Sequence, residues 1–170
     1  MNQRPLLDHI RKADVMWVGV SAKRVADPEK AIPLGVDTNS GRLIAEIEAL
    51  CSPVQFYKTN LVKCLPLDEQ GKLRYPTPLE CIACAPNLDL ELNLVNPTVV
   101  FLLGAKVASF VLKTLELKRV EDIENYATIE LQGRYFIPIP HPSFIMAYRR
   151  KTKHEYVTRV HSLIEQFVRG

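Results

Sequence analysis

Several things are scarce in this chain, and each scarcity excludes something. No apolar run reaches the roughly 18 residues that a membrane-crossing helix needs, so a membrane partner is not expected. The opening stretch MNQRPLLDHIRKAD has no apolar h-region, which predicts no secretory leader and a cytoplasmic protein. Charge of one sign is hardly in excess. Lys and Arg number 22 against 19 Asp and Glu, for a net charge of +3. That balance is compatible with nucleic acid but too slight to point to it. There is no internal repeat and no low-complexity tract. Cysteine is sparse, with four in the chain. Without secretory features these four are expected to be thiols or metal ligands in a reducing compartment.

What remains is the length and patterning of one folded unit. The 170 residues, 47% of them hydrophobic, fit a single domain over 1–170 with a proper core. Residues 5–12 suggest a short helix or turn. Continuous apolar runs of strand length occur at 14–20 and 98–104, and 54–62 is strand-like. ATIELQGRYFIPIP predicts a hairpin or strand pair around Gln132-Gly133. Leu43, Ile44, Ile47 and Leu50 recur at helical spacing behind an N-cap at Asn39 or Ser40. A second helix starts at Thr77 or Pro78 and meets an interruption or kink at Pro86. A third covers 105–116, and an amphipathic helix closes the chain. Buried strands alternating with helices predict an α/β fold, a three-layer α/β/α sandwich around a mainly parallel four-stranded sheet. Two long irregular segments, 21–41 and 64–78, are of a length that is usually functional or disordered.

Ligands of such sheets sit at the carboxyl ends of the strands. Three segments fall there: the turn after Gly19, the Asn60–Cys64 stretch, and IPIPHPSFIMAYRR, which delivers His141 to the start of a basic run. Each has a plainer reading. His141 could be an ordinary loop histidine, Asn60 a turn cap, Arg149 to Lys153 a solvated face, and the cysteines inert buried thiols.

VMWVG followed by IPLGVDTNSGRLI, YKTNLVKCLP followed by PTPLECIACAPNL, then PTVVFLLGAKVASFVL and PHPSF, are collinear over about residues 14–145. In this order they resemble the uracil-DNA glycosylase superfamily, most closely its thermophilic-type, iron–sulfur branch. The resemblance implies base excision repair. A nucleotide carrying uracil or another deaminated base is flipped out of DNA and its N-glycosidic bond hydrolysed. His141 then matches the histidine that addresses uracil O2, where negative charge develops. Asn60 matches the asparagine that reads the base edge with one donor and one acceptor. Gly19, Val20, Leu34 and Ser143 would help hold the substrate. Phe144, Ile145 and Met146 match the loop that enters the vacated space, and Arg149, Arg150 and Lys151 would hold phosphates. The implied protein is a monomer acting on DNA and associated with the nucleoid.

The chain departs from the resemblance in two places. The related branch has Gly-Glu-Ala-Pro-Gly where this chain has Gly19-Val20-Ser21-Ala22-Lys23, so Ser21 stands where other branches orient water with Asp or Asn. Asp27 or Glu29 is a substitute from within the same loop. Leu34 stands where the family stacks an aromatic on uracil. These changes imply slow excision, or a catalytically weak DNA- or damaged-base-binding protein of the same fold. The branch also takes two cluster cysteines ahead of the first strand, where this chain has none. Cys64, Cys81 and Cys84 are the candidate ligands for an iron–sulfur cluster or zinc, with His9 as a conceivable fourth, or there is no metal at all. Cys51 precedes the strand that Cys64 follows, so at ~3.3 Å per residue the two are expected far apart.

Overall fold

The computed structural model describes residues 3–170. Strand β1 (Val15–Ser21) lies between β2 (Phe56–Val62) and β3 (Val99–Leu103), parallel to both. β3 in turn pairs in parallel with β5 (Arg134–Ile139). The sheet has five strands in the order β2-β1-β3-β5-β4, one more than expected. The addition is the short first arm of the hairpin, β4 (Ile129–Leu131), antiparallel to β5 on the edge. Its turn is the expected Gln132-Gly133 pair, with φ of 53° and 78°. Both residues in the left-handed region suit the twist of a two-residue hairpin. β4 covers only residues 134–136 of β5. Beyond it β5 is an edge, which is where Pro138 is tolerated.

Helices α1 (Asn39–Leu50) and α5 (Lys153–Ile164) cover one face of the sheet, and α2 (Pro78–Val95) and α3 (Ala105–Thr114) the other. The core is accordingly divided in two. Met16, Val18, Leu92, Val100 and Leu112 belong to one half; Trp17, Ile44, Phe101, Ile137 and Val160 belong to the other. The alternation along β1 and β3 assigns successive residues to opposite faces. A short helix α4 (Pro142–Tyr148) follows β5 directly. Among the described residues no helix is long and apolar enough to cross a membrane.

Three local expectations change. The helix or turn expected at 5–12 is an irregular strap beside β2. Leu6 donates to the Lys63 carbonyl (3.0 Å), and the Asp8 carboxylate accepts from Lys58 N (3.1 Å). The strap supplies partners to an otherwise open sheet edge. The N-cap of α1 is Thr38, whose hydroxyl accepts from Gly41 N at 3.0 Å, rather than Asn39 or Ser40. Pro86 does not end α2. The residue whose carbonyl it deprives, Ile82, is on the exposed side of the helix, where water can take that carbonyl. Thr77 and Glu80 start the same helix with a reciprocal capping box.

Candidate active site

A cavity of about 860 Å³ opens at the carboxyl ends of β1, β2, β3 and β5. It brings together Val20, Ser21, Leu34, Asn60, His141, Ser143 and Phe144 from across the chain.

His141 is built for one protonation state. It is the N-cap of α4, and its Nδ1 accepts from Ser143 N at 3.2 Å. The Ser143 hydroxyl lies 2.7 Å from the same nitrogen. A ring nitrogen that accepts from a backbone N–H carries no proton, so the proton of the neutral ring is on Nε2. Burial, reinforced by the Lys23 charge, lowers the imidazole pKa to about 4. At neutral pH the side chain is therefore an uncharged Nε2–H donor beside the cavity. Ser143, expected to contact substrate, lines the cavity but spends its hydroxyl on His141. Gly104, at φ 92°, lets the end of β3 pass His141 closely; a Cβ there would lie 3.4 Å from the His141 Cβ.

Asn60 sits on β2 opposite Gly19 of β1, almost fully buried. A Cβ on Gly19 would come within 2.4 Å of Asn60 Oδ1. Gly19 is thus not a lining residue, as expected from sequence, but the floor that lets the Asn60 amide lie flat. That amide has no protein hydrogen bond among the described residues, which leaves its donor and acceptor for a ligand. Gly19→Ala is expected to displace the amide and weaken base discrimination with little loss of stability. Comparing excision of uracil with that of a mismatched cytosine checks this.

Behind Asn60 lies a buried ionic network. Lys63 Nζ donates to the Asn60 carbonyl, Thr59 Oγ1 and Glu91 Oε2, each at 2.6 Å. Glu91 also accepts from Tyr57 OH (3.1 Å) and from Thr59 (2.9 and 3.0 Å). Burial lowers the Lys63 pKa while Glu91 raises it. The same arrangement pushes Tyr57 up, again through burial first and Glu91 second. All three donors of the ammonium are used, so the peptide carrying Asn60 is held from behind. Sequence patterning did not suggest this role for Lys63 or Glu91.

Leu34 lines the cavity in the left-handed region, at φ 54°. Its loop is pressed onto the first turn of α1, where a Cβ on Gly41 would lie 1.9 Å from the Gly35 carbonyl. Close packing of this kind is what maintains an unfavourable φ. Phe144 is partly exposed at the mouth and packs against Tyr148, with ring centroids 5.5 Å apart. Ile145 is buried in the core and Met146 packs against it, so neither is the wedge expected from sequence. Arg149 pairs with Glu124 at 2.7 Å and lies over the Phe144 ring. Arg150 and Lys151 are exposed on a 3-10 turn with no ion pair among the described residues.

Neither Asp27 nor Glu29 lines the cavity. Glu29 is paired with Arg4 at 2.6 Å and Asp27 with Lys30 at 3.5 Å. Two lining carboxylates went unnoticed in the sequence, Asp37 and Glu124. Glu124 is engaged by Arg149, whereas Asp37 has no hydrogen bond or ion pair among the described residues. Lys23, Tyr75 and Lys106 were missed as lining groups too, with the Lys106 ammonium 3.4 Å from the Tyr75 ring centroid. They lie on loops and a helix start with no distinctive pattern.

Cys64 is exposed after β2, Cys81 is buried and Cys84 half-buried on α2. Burial raises the Cys64 and Cys81 thiols, and Cys84 raises both further, so the three share one electrostatic neighbourhood. A cluster held by four thiolates does not fit these residues. The remaining cysteine, Cys51, packs across the sheet with Trp17 and Ile44. A zinc ion bound at about 2.3 Å needs its donors tightly gathered. Among the described residues, the only such gathering of three donor atoms within 4.8 Å is elsewhere.

The family model described as the Uracil DNA glycosylase superfamily matches residues 8–164. The chain belongs to that superfamily. This superfamily member is 30% identical over 112 residues to the Type-4 uracil-DNA glycosylase of Thermotoga maritima, covering 65% of this chain and 56% of that one. It is 32% identical over 108 residues to the Type-4 uracil-DNA glycosylase of Saccharolobus solfataricus, covering 63% and 48%. The match thus spans about half the length of these two relatives. The crystal structure of wild-type SMUG2 from Pedobacter heparinus superposes with a TM-score of 0.67 at 17% identity, over 94% of this chain and 78% of that one. This last likeness speaks to the fold.

Proposed function

We propose that this superfamily member is a monofunctional DNA glycosylase that hydrolyses the N-glycosidic bond of uracil, or a related deaminated base, flipped from DNA. One observation carries the reading above the others: a neutral Nε2–H donor, His141, and an unpartnered carboxamide, Asn60, share one cavity at the carboxyl end of a parallel sheet. The Type-4 uracil-DNA glycosylases among its relatives support the choice of base.

In this mechanism the extrahelical base enters between Leu34 and the Asn60 amide. The amide matches the alternating donor and acceptor of the uracil edge and mismatches that of cytosine. As the glycosidic bond breaks, its electron pair moves onto the base and charge gathers on O2. His141 Nε2–H donates to that oxygen from a fixed, desolvated position, the setting in which such donors act most strongly. A cationic imidazole would offer the same donor at the cost of burying a charge, which the lowered pKa avoids. Phe144 with Tyr148 fills the space vacated in the duplex, and Arg150 and Lys151 meet phosphates. Water then adds to the oxocarbenium-like sugar, and its proton passes to solvent or to Asp37.

Incubating the protein with a fluorescein-labelled uracil oligonucleotide, then cleaving abasic sites with alkali, tests the reading. Excision is expected, slower by ~10²–10⁴-fold than in a relative with the acid, since that is the worth of a positioned base. Ser21→Asp is expected to accelerate excision and Asp37→Asn to slow it further. Ser21 in place of the acid also favours the second reading, a damaged-base-binding protein. Tight binding to the oligonucleotide with no abasic product would select it.

A further inference from the structure

We propose that Cys51, His161 and Glu165 form a binding site for a zinc-class divalent metal, on the face of the sheet opposite Cys81 and Cys84. Cys51 follows the last turn of α1 and is fully buried. His161 is on α5, and Glu165 opens the π-helical turn that ends it (Glu165–Arg169). The two are four residues apart and so share one helix face. The Cys51 Sγ, a His161 ring nitrogen and a Glu165 carboxylate oxygen all lie within 4.8 Å of one another.

Two further features distinguish this group from a chance surface cluster. The first is an unsatisfied acceptor. Glu165 Oε1 is buried and has no hydrogen-bond partner. Arg169 Nη1 is 2.9 Å from Oε1, but its aligned hydrogen bond, also 2.9 Å, goes to Oε2. Another Arg169 nitrogen donates to the Cys51 and Ser52 carbonyls. The guanidinium thus holds the carboxylate and the Cys51 backbone from outside, as outer-shell partners of metal ligands do, and leaves Oε1 pointing at His161 Nε2, 3.7 Å away. Oε1 thus meets the Arg169 charge without an aligned hydrogen bond, and a bound metal ion would give it the directed partner that a buried acceptor otherwise lacks.

The second feature is the donor chemistry. A thiolate, a neutral imidazole and a carboxylate are three of the ligand types zinc takes, and their summed charge of −2 balances a divalent ion, leaving the Arg169 guanidinium beside the carboxylate as the one excess charge at a partly solvated site. Calcium and magnesium require mostly oxygen donors and are excluded by this set. Binding exchanges the Cys51 thiol proton for the metal and releases that proton to solvent. The weak Sγ–H bond to the Ile47 carbonyl, 3.3 Å long, is given up. The fourth position goes to water, since His161 and Glu165 are each about one third exposed. The bound ion joins the end of α5 to the end of α1.

The probe is cobalt(II), titrated anaerobically into chelator-treated protein carrying Cys64→Ser and Cys84→Ser, which removes two of the three thiols of the other face and leaves only the buried Cys81 there. One equivalent is expected to bind with a thiolate-to-cobalt charge-transfer band and tetrahedral d–d absorption, to be displaced by zinc, and to raise Tm. Cys51→Ser in this background is expected to abolish the charge-transfer band. His161→Ala and Glu165→Gln, both at partly exposed positions, are each expected to weaken binding by at least the ~10–100-fold that loss of an outer-shell partner costs. If Cys51→Ser does not fold, these two variants decide the matter. Absence of stoichiometric binding, a charge-transfer band that survives Cys51→Ser, or unchanged affinity in both helix variants would overturn the assignment.

Discussion

His141→Ala is expected to lower single-turnover uracil excision by ~10²–10³-fold, the cost of removing one oxyanion-type donor, without unfolding the domain. The imidazole is bonded to its own helix start through Ser143 and contributes little to either half of the core. The wild-type pH profile carries the complementary information. With a pKa lowered to about 4 by burial and Lys23, His141 remains neutral as pH falls through 6, and excision is expected to persist until pH approaches 4. An ordinary histidine near 6.5 would instead change charge in the middle of that range. The linkage has the corresponding sign. Between about 6.5 and 4 the unfolded state binds the proton and the folded state does not. Stability present above the unfolded pKa is therefore lost as pH falls through this window, by about 3 kcal/mol at 1.36 kcal/mol per pKa unit. His141→Ala is expected to remove that part of the acid sensitivity. Urea midpoints at pH 7 and pH 4.5 measure it.

Glu91→Ala is expected to destabilise the protein by about 3–5 kcal/mol, the range found when one partner of a buried ion pair is removed. The Lys63 ammonium would remain buried with only the Thr59 hydroxyl and the Asn60 carbonyl to solvate it. Lys63→Met with Glu91→Leu is expected to recover only part of that loss, because it removes the unpaired charge but leaves the Tyr57 and Thr59 hydroxyls and the Asn60 carbonyl without those partners. The recovery would not extend to function. The Asn60 peptide would lack the donor that holds its carbonyl, so the double variant is expected to be more stable than Glu91→Ala yet poorer than the wild type at distinguishing uracil from cytosine. Denaturation and base-preference assays on both variants separate the two roles.

The parallel sheet and its helices were legible because β1 and β3 are buried on both faces and stand out as unbroken apolar runs. The fifth strand was legible only as the first arm of the hairpin expected around Gln132-Gly133, and was not counted into the four-stranded sheet. Ile129–Leu131 is three residues long, with two half-buried positions and one exposed, and only its pairing makes it a strand. His141 and Asn60 were legible through their places at strand ends together with the collinear blocks. The work of Gly19 was not, because it depends on a cross-strand register that sets Gly19 against Asn60. Nor was the burial of Ile145, since seven residues of helix beginning at a proline, about two turns, give too little periodicity by which to assign a core face. The Lys63–Glu91 pair joins residues 28 apart in sequence, and nothing local to either residue marks the other. The same is true of Cys51 and His161.

The central claim is that the Asn60–His141 cavity receives the flipped base with His141 as a neutral Nε2–H donor. The most direct measurement is NMR of protein labelled with ¹⁵N in the histidine rings and asparagine amides. Spectra would be recorded alone and with an oligonucleotide carrying a single non-hydrolysable 2′-fluoro-deoxyuridine. The account predicts a neutral His141 ring protonated on Nε2 at pH 7. On binding, the His141 Nε2 and Asn60 side-chain resonances should move together, and the matching cytidine oligonucleotide should leave both in place. A His141 ring that is cationic or protonated on Nδ1, or resonances that stay put while the uridine oligonucleotide is fully bound, would contradict it.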